Sequence, residues 1–330
     1  MWSRKESLLK VISIALLLAA VIGAESVPAN AQIYPTSPVK IISDSAPGSA
    51  PDVILRIVAD QLGQTWGQQV VVFNQPGAGG SLAARAAASA IPDGYTFFMA
   101  VSSTFVTMKG AASNIPVEVP RDFMPVSLVG EQPMFITVSP QTDISSLTDL
   151  VAKAKQKPGE VSYAVSGRGR QSHLTGELLE RRTGIKLLMI PYSGGPAQAM
   201  SDLATGRVLM LIEGGTALLG AMQAGKLRGI AVGSENRLPE FPNLPAAAET
   251  VPNFRAAGWL VLVAPLGTPE NMIRKVSDDL RQVLTKPEVR TKLAALGSYT
   301  HPMSPQDTTK YIQTEQQTWA PILDDLARSP

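Results

Sequence analysis

Short runs of β-branched residues alternate with amphipathic segments along this chain, and no other feature of the sequence limits the fold as strongly. In the first series, strand-like runs cover 39–43, 70–73 and 96–100, and helical segments cover 52–62 and 81–90. In the first helical segment the apolar residues recur at helical spacing, which indicates a buried face. The alternation is typical of βαβ units and therefore predicts an α/β fold with parallel strands.

A second series of the same kind begins after Pro133. Strand-like runs cover 135–138, 161–165, 187–190, 208–212 and 228–232, and helical segments cover 146–157, 171–182, 197–205 and 217–224. A proline-rich stretch, 238–252, follows, and we expect it to return the chain to the first domain. The 330 residues thus suffice for two domains, 32–132 with 253–330 and 133–252.

The end of the chain is predicted to be helical. After a strand-like run at 260–264, Thr268-Pro269 and Ser304-Pro305 each place an N-cap residue before a proline that begins a helix. Long C-terminal helices are therefore expected.

The N-terminus has the pattern of a secretory signal. Arg4, Lys5 and Lys10 precede an apolar run, 11–22, that is too short to cross a bilayer. Ala29-Asn30-Ala31 supplies a small-x-small cleavage site, so residues 1–31 are expected to be removed. An uncleaved membrane anchor is the alternative, and the absence of a cysteine after the site excludes lipidation. Export without disulfides fits a bacterial periplasm.

Composition excludes several classes of function. The chain has 29 Lys and Arg against 27 Asp and Glu, so it lacks the basic surplus of a nucleic-acid-binding protein. It has no cysteine and two histidines, His173 and His301, which argues against thiol catalysis and against a Cys- or His-rich metal site. We predict no metal and no cofactor.

Glycine- and serine-rich turns follow four of the predicted strands and run directly into helices. They cover 46–52, 74–81, 166–172 and 191–196. Turns of this kind lie at the carboxyl edge of a parallel sheet, where ligands bind. Glycine lets the backbone approach a ligand, and the first amides of the next helix carry partial positive charge. Together they favour a site for a small anion, although each turn taken alone is equally consistent with a simple connection.

Seven short motifs, in order and at compatible spacings, resemble the Bug (TctC-like) solute-binding proteins of tripartite tricarboxylate transporters. They are Tyr34-Pro35-x-x-Pro38, Ala46-Pro47-Gly48 with Asp52, Asn74-x-Pro76-Gly77-Ala78-Gly79-Gly80, Pro92-Asp93-Gly94-Tyr95-Thr96, Ser172-His173-Leu174, Pro191-Tyr192-x-Gly194-Gly195 and Ala224-Gly225-Lys226-Leu227-Arg228. The resemblance implies a type II periplasmic binding protein-like fold, in which two α/β domains are joined by a hinge of two crossovers. It also implies closure over one carboxylate, held by backbone and hydroxyl groups, and its delivery to a membrane transporter.

In the first domain, the resemblance assigns the ligand to the turn after the first strand. By matching position this turn contributes Ala46, Gly48, Ser49 and Ala50. Asp52 is more simply an N-cap than a ligand contact. The turn departs from the family at Ser49-Ala50-Pro51, which removes a hydroxyl and one N–H donor. The hydroxyls of Ser102, Ser103 and Thr104 follow the third strand and are expected either to face the cleft or to cap a helix.

In the second domain, the turn after the 161–165 strand contains two arginines where the family commonly has small polar residues. The predicted contacts here are Ser166, Gly167, Arg168, Gly169, Arg170, Tyr192, Ser193, Gly194 and Glu213. Arg168 or Arg170 is suited to a bidentate clamp on a second carboxylate, and two solvated surface arginines are the alternative. A carboxylate at Glu213 would disfavour an anion and suits an amine or a water. His173 is expected to make a structural hydrogen bond rather than to catalyse.

An enzyme is the main competing interpretation, and the sequence lacks the parts for one. Gly77-x-Gly79 resembles a dinucleotide fingerprint, but Leu82 replaces its third glycine. No Gly-x-Ser-x-Gly or His-Glu-x-x-His motif occurs. We therefore predict a monomeric periplasmic protein that is not an enzyme. Its expected partners are a small organic acid, for which a dicarboxylate is the narrower prediction, and the membrane components of a tripartite tricarboxylate transporter. A periplasmic sensor that feeds a signalling partner stays open.

Overall fold

Residues 34–77, 80–106, 121–165, 167–192 and 196–328 are described by a computed structural model. The predicted signal sequence, 1–31, lies outside these residues. From residue 37 onward, the described residues belong to one compact unit. Its first part contains β1 (Val39–Ser43), α1 (Ala50–Trp66), β2 (Val70–Asn74), α2 (Ser81–Ala88), β3 (Thr96–Val101), the single turn α3 (Ser102–Phe105) and β4 (Phe123–Val138). These bounds confirm the first predicted series to within a few residues.

The remaining elements follow the second predicted series and the helical C-terminus. They are α4 (Leu147–Gln156), β5 (Ser162–Val165), α5 (Gln171–Thr183), β6 (Leu188–Pro191), α6 (Pro196–Ala204), β7 (Met210–Gly214), α7 (Gly215–Gln223), β8 (Arg228–Val232), β9 (Ala257–Pro265), α8 (Glu270–Thr285), α9 (Pro287–Ala295), β10 (Tyr299–Thr300) and α10 (Pro305–Arg328). A 3₁₀ turn, Ala247–Glu249, interrupts the predicted proline-rich loop.

The strands form one mixed sheet in the order β2-β1-β3-β9-β4-β7-β5-β6, and β8 and β10 also pair with β4. The pairs of β1 with β2 and β3, and of β5 with β6 and β7, are parallel as predicted. The pairs that involve β9 or β4 are antiparallel, which the alternation of strands and helices does not reveal. Parallel strands at both ends of the sheet therefore flank an antiparallel centre.

Strand β4 connects the two ends of the sheet. From Phe123 to Pro133 it pairs with β9, and from Met134 onward it pairs with β7. We call β1, β2, β3, β9, β10 and residues 123–133 of β4 the first half-sheet. The second half-sheet is β5, β6, β7, β8 and residues 134–138 of β4. The 16-residue β4 is much longer than the predicted strand at 135–138.

Three chain segments meet where β4 passes from one half-sheet to the other. The Met134 amide donates to the Ala256 carbonyl (3.0 Å), the Gly233 amide donates to the Met134 carbonyl (2.8 Å), and the Ala256 amide donates to the Gly233 carbonyl (2.8 Å). A Cβ on Gly233 would lie 2.2 Å from the Ala256 carbonyl oxygen, so the close approach requires glycine. Met134 and Ala256 lie within four residues of the predicted domain boundaries, 132/133 and 252/253, and we call the three positions the crossing point.

A cluster of polar side chains lies beside the crossing point. Arg255 forms ion pairs with Glu131 and Glu315, and the Tyr311 hydroxyl donates to Glu131 (2.9 Å). Burial acts to raise the pKa of Glu131, but His301 and Arg255 hold it below its usual value. The C-terminal helix α10, which supplies Tyr311 and Glu315, is thereby attached to the centre of the sheet.

The two predicted helix caps differ in outcome. The Ser304 hydroxyl accepts the Asp307 amide (3.1 Å), so the predicted cap of α10 is present. The prediction for Thr268 was wrong, because helix α8 begins one residue after Pro269 and Pro269 itself holds the N-cap position. The Thr268 hydroxyl instead donates to the Pro265 carbonyl (2.8 Å) and closes the turn after β9.

Among the described helices, none combines the length and the apolar character needed to cross a membrane.

Candidate functional site

The predicted ligand residues lie at or after the carboxyl ends of β1, β3, β5, β6 and β7. Because β1 runs parallel to β3, the ends of these two strands lie at one edge of the first half-sheet. The ends of β5 and β7 lie in the same way at one edge of the second half-sheet. The β7 end pairs with Met134, which places it at the level of the crossing point. The last residue of β3, Val101, pairs with Leu260 of β9. Leu260 is three residues after Ala257, which pairs with Pro133, so the β3 end also lies close to the crossing point.

In the first turn, the amide of Gly48 and the hydroxyl of Ser49 are used within the turn itself. Gly48 donates to the Asp52 carboxylate (2.8 Å), and the Ser49 hydroxyl donates to the Ala46 carbonyl (2.7 Å). Asp52 is buried, with 1% of its surface exposed, and also accepts from Arg56 Nε (3.0 Å) and Asn74 Nδ2 (2.7 Å). Through these hydrogen bonds Asp52 connects the turn to helix α1 and to strand β2.

The expectation that Asp52 caps helix α1 needs a correction. Ser49 holds the N-cap position, and its side chain makes no capping bond. Asp52 lies in the first turn of the helix and reaches back to Gly48. Burial acts to raise the pKa of Asp52, but the bonds from Arg56, Gly48 and Asn74 hold it below the usual value, so the carboxylate is ionised at neutral pH. Asn74 belongs to one of the sequence motifs, but its hydrogen bond to Asp52 was not predicted from the sequence.

Helices α1, α5 and α7 begin beside the predicted site without a side-chain cap. Their N-cap residues are Ser49, Arg170 and Gly214, and each has the extended backbone of an N-cap. Helices α2, α8 and α9 also begin without a side-chain cap, whereas the Ser146 hydroxyl caps α4 by accepting the Asp149 amide (3.1 Å). The first amides of a helix have no partner inside it and carry partial positive charge. Helices α1, α5 and α7 follow β1, β5 and β7, so their first amides lie near the strand ends that carry the predicted residues.

After β3, the hydroxyl groups of Ser102, Ser103 and Thr104 lie on the turn α3. The Thr104 side chain is 3% exposed, and its hydroxyl donates to the Asp44 carboxylate (2.6 Å). The hydroxyl proton of Thr104 is therefore used inside the protein. Ser102 is also buried, whereas Ser103 is half-buried. Asp44, which directly follows β1, was not singled out in the sequence.

In the turn after β5, His173 has the structural role that was expected. Its Nδ1 accepts the Gly169 amide (2.9 Å), and its Nε2 lies 3.3 Å from Glu177. His173 is 2% exposed, so the histidine lies beneath the turn that carries Gly167, Arg168 and Arg170. The imidazole thereby fixes the backbone of the turn.

The two arginines of this turn are both exposed, but their surroundings differ. Arg168 Nη2 donates to the Leu326 carbonyl (3.3 Å) in the last turn of α10, where the negative end of the helix dipole attracts a cation. Arg170 is the N-cap of α5, and its amide donates to the Gly167 carbonyl (3.2 Å). The first arginine is thus held by the C-terminal helix.

Among the other predicted residues of the second domain, Tyr192 and Glu213 also bond inside the protein. The Tyr192 hydroxyl donates to Asp202 (2.8 Å), its ring belongs to a hydrophobic cluster, and burial raises its pKa. Glu213 Oε1 accepts the Gly214 amide (3.0 Å). Three predicted contacts, Ser166, Ser193 and Gly194, lie outside the described residues.

Gln171, the first residue of α5, was not predicted to take part. Its Nε2 is buried and has no hydrogen-bond partner within the described part of the chain. An unsatisfied buried donor costs about 1–3 kcal/mol. A ligand oxygen at the start of α5 would relieve this cost, so Gln171 joins the candidate site.

Within the described ranges, no group of three or more His, Cys, Asp or Glu side chains is arranged to hold a metal ion. The donors that the strand ends offer are instead amides, hydroxyls and the guanidinium group of Arg170, the N-cap residue of α5.

Comparison with known proteins identifies the family. Residues 54–327 match the model of the tripartite tricarboxylate transporter family receptor. Protein BugT of Bordetella pertussis (strain Tohama I) is 36% identical over 319 residues, which cover 96% of this chain and 96% of BugT.

Two solved structures show the same architecture. The R. palustris protein Rpa4515 with adipate has a TM-score of 0.72 and 30% identity, covering 89% of this chain and 98% of that one. MatC (Rpa3494) from Rhodopseudomonas palustris with bound malate has a TM-score of 0.68 and 27% identity, covering 89% of this chain and 100% of that one. These similarities confirm the predicted type II periplasmic binding protein-like fold. The chain therefore belongs to the tripartite tricarboxylate transporter receptor family, as a solute-binding protein of the Bug (TctC-like) kind and not an enzyme.

Proposed function

We propose that this protein captures a small dicarboxylate between its two half-sheets and delivers it to the membrane components of a tripartite tricarboxylate transporter. The observation that carries the proposal is the start of three helices, α1, α5 and α7, without side-chain caps at the ends of β1, β5 and β7. Uncapped helix N-termini bind anions through their amides. The relatives solved with adipate and with malate support an organic acid as the ligand.

The proposed contacts for the first carboxylate are the turn 46–50 and the turn that carries Ser102, Ser103 and Thr104. One exposed helix N-terminus contributes about 0.3–1 kcal/mol to anion binding, so several must act together to give a selective site. Because Gly48 and Ser49 bond within their turn, we assign the amide of Ala50 and the hydroxyl of Ser103 the larger share of the contact. Tyr192, with Ser166, Ser193 and Gly194, completes the proposed shell, and Glu213 is proposed to bind a water beside the ligand rather than its carboxylate.

A second carboxylate is proposed to bind at the turn 167–170. Arg168 is held by the C-terminal end of α10, whereas Arg170 stands at the N-terminus of α5, beside the unsatisfied Gln171. We therefore assign the clamp to Arg170 rather than to Arg168. A guanidinium group can form two parallel hydrogen bonds with one carboxylate.

A thermal-shift and calorimetry screen of residues 32–330 tests the proposal. The ligands are adipate, malate, citrate, acetate and the neutral adipamide. An acid at 100 times its dissociation constant adds about 2.7 kcal/mol to the free energy of unfolding. Adipate or malate is expected to stabilise the protein, and adipamide, which has the same chain length without charge, is not. Equal shifts with adipamide and adipate, or no shift with any acid, would refute the function.

The Arg170 assignment has its own test. Arg170→Ala is expected to weaken binding of the dicarboxylate that the screen identifies by about 10- to 150-fold, the range given by charge-assisted hydrogen bonds of about 1.5–3 kcal/mol. Arg182→Ala, an exposed arginine in the last turn of the same helix, is the matched control and should leave the affinity unchanged. A dicarboxylate affinity that is equal in both variants contradicts the clamp.

Export and delivery are part of the same proposal. Members of the family are periplasmic binding proteins, as the similar structure of BugD illustrates. We expect residues 1–31 to be removed during export and the mature protein to act as a monomer. N-terminal sequencing of protein from the periplasm should begin at Gln32, and a sequence beginning at Met1 would contradict the cleavage.

A further inference from the structure

The carboxylate of Asp44 joins two strand ends of the first half-sheet. Asp44 follows β1, and its Oδ2 accepts the Thr104 hydroxyl (2.6 Å) and the amide of Val101 (3.1 Å). Its Oδ1 accepts the Ser45 hydroxyl (3.1 Å). All three neighbours donate to it, which is the arrangement of an ionised carboxylate. Val101 is the N-cap of α3, so one carboxylate holds both ends of the turn 101–104.

The turn after β2 approaches the same group. Gly80, the N-cap of α2, has φ of +92°, and a Cβ at this position would lie 2.3 Å from Thr104 Oγ1 and 3.2 Å from Asp44 Oδ2. Glycine is thus required for both its backbone angle and its contact with the Asp44–Thr104 pair. The ends of β1 and β3 and the start of α2 meet around this pair.

The position of Asp44 is costly for a residue with a purely structural role. The side chain is 9% exposed, and burial raises its pKa above the ordinary value. Burying a charge is costly unless it is paired and hydrogen-bonded, and the three groups that donate to Asp44, from Ser45, Val101 and Thr104, are all uncharged. Groups with raised pKa values in or beside a cleft are candidates for functional sites.

We infer that Asp44 is a positioning residue of the ligand site, which holds the turn 101–104 so that the backbone presents Ser102 and Ser103 to the ligand. The inference rests on the proposed function, because it assigns Asp44 to the same site. Asp44 acts through Thr104 and Val101 and does not touch the ligand. The Thr104 hydroxyl, predicted as a ligand contact, is the link between Asp44 and the turn.

A double-mutant cycle measured by calorimetry with adipate and with malate tests the link. Asp44→Ala removes both acceptor oxygens, so the Val101 amide and the Thr104 hydroxyl lose the Oδ2 atom to which both donate. Asp44→Ala and Thr104→Val are each expected to weaken binding about tenfold, and the double variant should bind no more weakly than either single variant. Thr104→Ser keeps the hydroxyl and should bind within about threefold of the wild type. Asp60→Ala, on the exposed face of α1, is the control and should leave the affinity unchanged.

Hydrogen exchange of the same variants without ligand separates this inference from the proposed function. Amides 101–106 should exchange about tenfold faster in Asp44→Ala and in Thr104→Val, whereas those of β5 and β7 should keep their wild-type rates. Unchanged exchange at 101–106, equal acceleration throughout the protein, or additive losses in the binding cycle would overturn the positioning role. If the wild type binds neither acid, the proposed function fails, and the exchange rates still decide whether Asp44 holds the turn.

Discussion

At the scale of single residues, the shape of the first turn depends on one buried carboxylate, that of Asp52. It accepts hydrogen bonds from the Gly48 amide, from Arg56 and from Asn74, which belong to the turn, to α1 and to β2. Asp52→Asn places an NH₂ group against at least one of these donors. An unsatisfied buried donor costs about 1–3 kcal/mol, and we expect this loss in the free energy of unfolding at pH 7, measured with urea.

The pH dependence of this loss provides the control. The folded-state pKa of Asp52 is lowered, so its stabilising contribution is present above the unfolded pKa of about 3.9 and is lost as the pH falls through the folded value. The difference between wild type and Asp52→Asn should therefore shrink below about pH 3.9. A difference that stays constant into the acid range, or a matching loss in the exposed Asp60→Asn, would contradict the role of Asp52.

The acidic residues also show how far the sequence alone reaches at this scale. The glycine turns are recognisable from composition, because their spacing after each strand is local information. The partners of a carboxylate are not local information. Asp52 in α1 bonds to Asn74 of strand β2, and Asp44 bonds to a turn 60 residues later in the chain. An acidic residue directly after a predicted strand is the one signal that would have pointed to Asp44.

At the scale of elements, the C-terminal helix α10 is attached to the sheet by Glu315. The carboxylate accepts the indole N–H groups of Trp259 in β9 (3.0 Å) and of Trp319 in α10 (3.1 Å) at the same oxygen. Glu315→Ala leaves two buried donors unsatisfied and should lower the free energy of unfolding by about 2–5 kcal/mol, measured with urea. Glu315→Gln keeps one acceptor oxygen for both indoles and should lose much less. Equal losses in the two variants would show that the charge, and not the acceptor, attaches the helix.

Strand β4 is the element that the sequence predicted least well. Only 135–138 has the β-branched pattern of a strand, and the preceding part contains Pro125, Gly130 and Pro133. Prolines and glycines normally argue against a central strand. Here β4 shifts its register against β9 between Pro125 and Ser127 and again between Leu128 and Gly130, and such bulges accommodate both residue types. Pairing with a strand more than 120 residues later in the chain is tertiary information that local patterns do not contain.

At the scale of the whole molecule, the two half-sheets are joined at the crossing point of Met134, Gly233 and Ala256. Closure of two lobes around a ligand occurs at a few residues that absorb the change in backbone angles. The three backbone hydrogen bonds at the crossing point link the segments in a ring, so a displacement of one segment alters the hydrogen bonds of the other two. Ligand capture and the geometry of the crossing point should therefore respond to the same substitution.

Gly233→Ala is the substitution that tests this coupling. The added methyl group would meet the Ala256 carbonyl oxygen at 2.2 Å, so the segments must separate, which costs about 1–3 kcal/mol of stability. Gly220→Ala is the matched control, because its Cβ meets nothing within 4 Å and alanine is favoured in a helix interior by up to about 1 kcal/mol. In small-angle scattering, adipate should reduce the radius of gyration of the wild type and of Gly220→Ala but not of Gly233→Ala. If Gly233→Ala closes around adipate as the control does, the crossing point does not govern closure, and the hinge must lie elsewhere along the segments that join the half-sheets.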